Sequence, residues 1–163
     1  MNAYDESLLL ENHELNDKHI NASQKLLLHQ FPSFQGLKSS LVQDHIGFWT
    51  NNYIQIFHSR SCHWITASTI GCQPGTINIY DSLYKDIDGV TKHKIERVFD
   101  SSIKFQLPKV QMQEGHTKCG LFAIAFAVTL AFANNPEACE FDQSKMRSHL
   151  HTCFKEHCIS KFP

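Results

Sequence analysis

At 163 residues the chain fits one domain, long enough to bury a core without disulfide or metal staples. Its formal charge is −1 and no block of Lys and Arg interrupts it, which argues against a direct nucleic-acid binder or a protein held on an anionic membrane. The first residues lack the basic start and long apolar run of a secretory leader, so an intracellular chain, nuclear or cytoplasmic, is expected; its six cysteines then read as thiols, with three disulfides the minor alternative.

Residues 1–14 mix acids with Leu8, Leu9 and Leu10 without a clear period and are open to two readings, a short helix or a loose arm. From Asn16 the pattern is that of a capped helix with Ile20, Leu26 and Leu27 on its core face, stopped by Phe31-Pro32. Residues 33–52 read as irregular connection, with room for a short helix around Leu41. Three β-branched and aromatic runs follow, 53–57, 64–70 and 76–80, and predict neighbouring antiparallel strands. Pro74-Gly75 supplies a hairpin turn between the last two, because Pro presets φ and Gly tolerates the positive φ of a type II turn. Residues 91–99 predict an amphipathic helix capped at Thr91, and residues 105–112 a short strand. Beyond the apolar run 121–133, Asn134-Asn135-Pro136 is a helix break, and Asp142 can cap a last helix through Met146, Leu150 and Phe154. No internal repeat, low-complexity tract or linker is present.

The stretch 113–133 carries the chemistry. A polar turn runs through Cys119 into an apolar segment too short for a bilayer, which needs roughly 20 residues, so the segment reads as a core helix. A cysteine in the first turn of a helix sees the positive end of the helix dipole, which favours thiolate over thiol and makes the sulfur a usable nucleophile. A thiolate nucleophile needs a proton partner. His63, one of eleven histidines, opens the second strand and fits that role. The imidazole in turn needs a carboxylate to hold it, and Asp81, at the end of the next strand, can be brought beside it by the hairpin. The oxyanion on the attacked carbonyl needs donors, which the Gln113 side chain and the Cys119 N–H can supply.

His63-Trp64, Ile79-Tyr80-Asp81-Ser82 and Gln113-x5-Cys119-Gly120, in that order and spacing, resemble the signature of the ubiquitin-like-protein-specific cysteine proteases of the SUMO-protease type. Leu15-Asn16-Asp17-Lys18-His19-Ile20 is similar to the Leu-Asn-Asp-x-x-Ile that opens their first helix, and the match runs from residue 15 to residue 154. The wording of the segments is most similar to short members found in animal genomes, many of them transposon-derived. The resemblance implies an α+β, papain-like fold: a small, mostly antiparallel sheet packed against helices, with the nucleophile at the N-terminus of a buried helix. It implies one catalytic domain over residues 1–163, in which Cys119 attacks, His63 is general base and acid, Asp81 orients His63, and Gln113 helps hold the oxyanion. No cofactor is called for.

The resemblance also implies a protein substrate, a ubiquitin-like modifier or its conjugate, processed or deSUMOylated by cleavage after a Gly-Gly terminus threaded between two tryptophans. Trp64 is one of these substrate-binding tryptophans, and Glu14 stands where the other is expected. Lys118 and His116 are further departures beside the nucleophile. Glu14 and Lys118 open an alternative, a catalytically silent module of the same fold that binds a ubiquitin-like or peptide tail. A zinc site from His149, Cys153 and His157, with Cys158 adjacent, is disfavoured because the i to i+8 spacing spans about 12 Å of helix, too long for one tetrahedral ion. No metal ligand is therefore expected.

Overall fold

A computed structural model describes every residue except Gln43. Among the described residues five α-helices and five strands succeed one another in the order α1 (Ala3–Leu10), α2 (Asp17–Gln30), β1 (Gln35–Gly36), β2 (Tyr53–Ser59), β3 (His63–Ser68), β4 (Thr76–Tyr80), α3 (Gly89–Phe99), β5 (Lys104–Gln106), α4 (Cys119–Ala131) and α5 (Met146–Glu156). The strands form one sheet in sequence order. Its centre, β2-β3-β4, is antiparallel as the sequence predicts, but both outer pairs, β1-β2 and β4-β5, are parallel, so the sheet is mixed.

The central strands β2, β3 and β4 are buried on both faces because helices cover both. Side chains of a strand alternate, and in β2 Ile54 and Ile56 point to a core shared with α2, α4 and α5, while Tyr53 and Phe57 join Ile65, Ile77 and Ile79 against Ile95, Val98 and Phe99 of α3. This is why the runs read as nearly continuous apolar segments rather than apolar-polar alternations. All of α4 is buried. Phe126 in its middle meets Tyr80, Phe122 and Phe141 with ring centroids 5.9, 5.8 and 6.1 Å away, and truncating such a ring costs about 3–5 kcal/mol. The helix that bears Cys119 is thus enclosed along its whole length.

Local chemistry explains most element ends. At α2, the Asn16 side chain accepts from the N–H groups of Lys18 and His19, and the His19 ring accepts from the Asn16 N–H, a reciprocal capping box. The first 14 residues contain the helix of the two readings the sequence allows. Asn2 caps α1, Leu9 is fully buried, and α1 packs on α5. Arg147 of α5 secures this arrangement, donating to the carbonyls of Leu8 (3.2 Å), Leu9 (3.1 Å), His13 (2.7 Å) and Thr117 (3.0 Å).

Several expectations are corrected. β5 stops after three residues, before Pro108, so residues 107–113 are irregular rather than strand. α3 begins two residues before Thr91, with Asp88 at its N-cap and Thr91 bonded back to it. Asp142 caps a 3₁₀ turn, Gln143–Lys145, which leads into α5. The described residues around Leu41 form a turn, not a helix. β1 had no signal because it is only two residues long; Gly36 makes it possible, at φ +83° and with the Ile54 carbonyl 2.1 Å from where a Cβ would stand. Among the described residues no helix is long and apolar enough to cross a membrane.

Candidate active site

The hairpin between β2 and β3 turns over three residues, with Arg60 in the left-handed region and Ser59 paired to His63. His63 therefore opens β3 next to a tight turn and is buried, 3 % exposed. Across the sheet Thr66 pairs with Tyr80, so Asp81, one residue on, emerges beside the start of β3. The His63 Nε2–H donates to Asp81 Oδ1 at 2.7 Å, and the same oxygen accepts from the backbone N–H groups of Leu83 (2.9 Å) and Tyr84 (3.0 Å). Those two backbone donors fix the carboxylate before the imidazole meets it. The Tyr84 ring stands edge-on to His63, centroids 5.0 Å apart, and is itself covered by the Arg60 guanidinium, 3.9 Å from its centroid and paired to Asp86 at 2.8 Å.

The other imidazole nitrogen, Nδ1, is buried and has no hydrogen-bond partner among the described residues. Cys119, the first residue of α4 and also 3 % exposed, is the group that acts on this side of the ring. Burial pulls the His63 pKa down, but the hydrogen bond to Asp81 and the neighbouring Cys119 sulfur outweigh it and hold it at about 9. The ring is thereby set to carry a positive charge at neutral pH, next to a sulfur at a helix start. Lys118, at the N-cap, offers no side-chain cap, so the first N–H groups of α4 remain available to a ligand.

Gln113 is nearly buried and held three ways: its N–H donates to the Ser82 carbonyl (2.8 Å), its Oε1 accepts from the Ser82 hydroxyl (2.7 Å), and its Nε2 donates one hydrogen to the Gly115 carbonyl (3.0 Å). The second amide hydrogen is left for another acceptor. Lys118 is turned to Gln143 Oε1 (3.4 Å) and Glu114 (3.9 Å).

A groove of about 440 Å³ leads to the sulfur, walled by Trp64, His58, Lys94, Cys62 and the Glu14–Asp17 segment. Trp64 donates its indole N–H to the Leu15 carbonyl at 3.2 Å and meets the His58 ring edge-on at 4.9 Å. Gly120 permits this closeness: a Cβ there would lie 2.9 Å from Leu15 Cβ. Glu14 is exposed on the groove lip. The geometry thus brings together His63, Asp81, Gln113, Cys119 and Trp64, the five residues singled out in the sequence. It adds Ser82, which holds the Gln113 amide, and His58 and Lys94, which wall the groove. Ser82 had a signal, its place directly after Asp81; Lys94, on the surface of a charged helix, had none. Among the described residues no group of three metal-capable side chains gathers. His149 Nε2 faces the Ser160 carbonyl at 2.9 Å, and His157 leaves the helix at its left-handed C-cap.

No protein-family model matches the chain, and no curated protein does. Solved structures do. The C-terminal Ulp1 protease domain in complex with Smt3, the yeast orthologue of SUMO, superposes with a TM-score of 0.72 at 14 % identity, over 94 % of this chain and 82 % of that one. The chain has the Ulp1 protease fold. Ulp1 with its catalytic cysteine oxidised to a sulfenic acid superposes at 0.70 and 13 % identity, over 94 % and 83 % of the two chains. The Xanthomonas campestris effector XopD bound to ubiquitin gives 0.58 and 11 %, over 86 % and 91 %. The Ulp1 fold is thus kept across nearly the whole chain while few residues are shared.

Proposed function

We propose that the chain is a cysteine peptidase or isopeptidase whose substrate is a ubiquitin-like modifier or its conjugate, and that one domain over residues 1–163 carries the activity. The observation that supports this most is the buried His63 ring, bound to Asp81 through one nitrogen and open toward Cys119 on the other. The Cys119 sulfur adds to the substrate carbonyl, and the oxyanion that forms is met by the Cys119 N–H and the remaining amide hydrogen of Gln113. His63 gives its proton to the departing amine, and an acyl-enzyme is left. Water, deprotonated by His63, then attacks the thioester and restores the thiol. The groove along Trp64 leads to Cys119, and this is the path by which a Gly-Gly tail would reach the sulfur. The solved structures that share the fold include complexes with Smt3 and with ubiquitin, which supports a partner of that shape.

A second reading is favoured by Glu14: one wall of the groove is an exposed carboxylate where the first reading calls for an aromatic, which suits a module that holds a tail without cutting it. Incubation with fluorogenic C-terminal conjugates of several ubiquitin-like modifiers separates the two. Turnover that falls by about 10⁴-fold or more in Cys119→Ala supports the enzyme. Saturable binding with no turnover in the wild type supports the module and overturns the enzyme.

A further inference from the structure

Six thiols are free, and two of them, Cys62 and Cys119, wall the same groove. The reaction proposed above makes no use of Cys62. It is the last residue of the β2-β3 turn, directly before His63, and it is exposed. It therefore has no packing role of the kind that explains Cys153, which is buried in the core. Cys72, Cys139, Cys153 and Cys158 do not wall this groove. His63 directly follows Cys62 in the chain, and its buried Nδ1, which has no partner among the described residues, can pass a proton.

We propose that Cys119 and Cys62 form a peroxide-modification site, in which Cys62 resolves an oxidised Cys119. The proposal rests on the reading of Cys119 as an activated nucleophile. The co-reactant is a hydroperoxide. The Cys119 thiolate attacks its terminal oxygen, the O–O bond breaks, and sulfur keeps that oxygen as a sulfenic acid while the other oxygen leaves as water or an alcohol. The Cys62 thiolate then attacks the sulfenic sulfur, the S–O bond breaks, and hydroxide departs as water with the proton that Cys62 gave up. Sulfur is oxidised from two thiols to one disulfide, and the peroxide is reduced.

A disulfide needs the two Cα atoms within roughly 7 Å, and Cys62 lies on the turn beyond the Ser59-His63 pair that ends the ladder, so forming the bond asks only that turn and the start of α4 to meet that distance. The catalytic cysteine of Ulp1 is found as a sulfenic acid. Without a resolving thiol such a group goes on to irreversible sulfinic and sulfonic acids, whereas a disulfide returns to active thiols by exchange.

The test uses the full chain and hydrogen peroxide, with peptide mapping under non-reducing conditions. The expected result is a mass loss of two hydrogens, a peptide joining Cys62 to Cys119, and recovery of both thiols on adding dithiothreitol. In Cys62→Ser the joined peptide is absent and Cys119 reaches sulfinic acid about tenfold faster than in the wild type. Equal rates of sulfinic acid formation in the two chains, or Cys62 joined only to a second copy, overturn the proposal. Alkylation of Cys119 against exposed Cys158 in reducing buffer separates the two levels of failure. Fast alkylation without the joined peptide overturns the pairing alone, and alkylation no faster than at Cys158 overturns the nucleophile as well.

Discussion

The two sides of the groove are built differently. On one side, Cys119, His63 and Asp81 sit at element ends and Gln113 on the segment leading into α4, all four are buried, and hydrogen bonds hold His63 to Asp81, Asp81 to the N–H groups of Leu83 and Tyr84, and Gln113 to Ser82. On the other, Glu14, Ser40, Leu41, His58 and Lys94 come from four separate segments, and two of them, Glu14 and Leu41, are exposed. Reaction chemistry needs fixed distances, so it is tied to rigid elements; selectivity is set where loops and surface side chains meet and can change without disturbing the fold.

Substitutions on the rigid side should therefore cost rate, and those on the other side affinity. The largest effect after loss of Cys119 is expected for Asp81→Asn, about 10³–10⁴-fold in kcat. In the wild type the alkaline limb of the rate profile should lie near 9, where His63 loses its proton, and Asp81→Asn should move it to lower pH because the carboxylate is what raises the imidazole. A limb that stays in place would disconnect Asp81 from His63. Gln113→Ala should follow, at about 10²-fold with little change in KM, and Ser82→Ala should show a weaker form of the same loss, since it only holds the amide.

Stability should report the same centre. His63 is raised from 6.5 to about 9 in the folded chain, so its contribution is fully present below the unfolded value and is lost as pH rises through the folded one. After allowance for solvent screening this is on the order of 2 kcal/mol. Chemical denaturation from pH 6.5 to 9.5 should show that decline in the wild type and a flatter profile in His63→Phe; parallel profiles would mean the charge is not held. The smallest change is expected on the open side. Glu14→Trp should lower KM for a Gly-Gly-ended substrate by about 3- to 10-fold, about 1 kcal/mol of added contact, with kcat nearly unchanged. A change in kcat instead would blur the division between the two sides.

The same division explains what could be read from the residues alone. Cys119, His63 and Asp81 were legible because each is a chemically required type at an element end, Gln113 because an amide donor is required a few residues before the nucleophile, and the central strands because β-branched and aromatic runs bounded by turn residues have few other uses. β1 and the parallel outer pairs were not, because a two-residue strand has no period and its pairing is decided by where the chain crosses Ile54. Lys94 was not, because a lysine on an amphipathic helix looks like any solvated charge until its ammonium is seen on the His58 carbonyl, 3.0 Å away. Arg147 was equally silent: its four carbonyl partners lie about 30 to 139 positions away in sequence and none is a charged group.

That arginine gives the amino-terminal segment a say over the nucleophile. One guanidinium joins the carbonyls of residues 8, 9 and 13 to that of Thr117, two residues before Cys119. Removing the first helix would strip two of the four acceptors, the carbonyls of Leu8 and Leu9, from a half-buried cation that is also bonded to the loop before Cys119. A partner that drew the first helix away from α5 would remove the same two contacts, so the packing of this helix and the seating of the loop before Cys119 share one side chain.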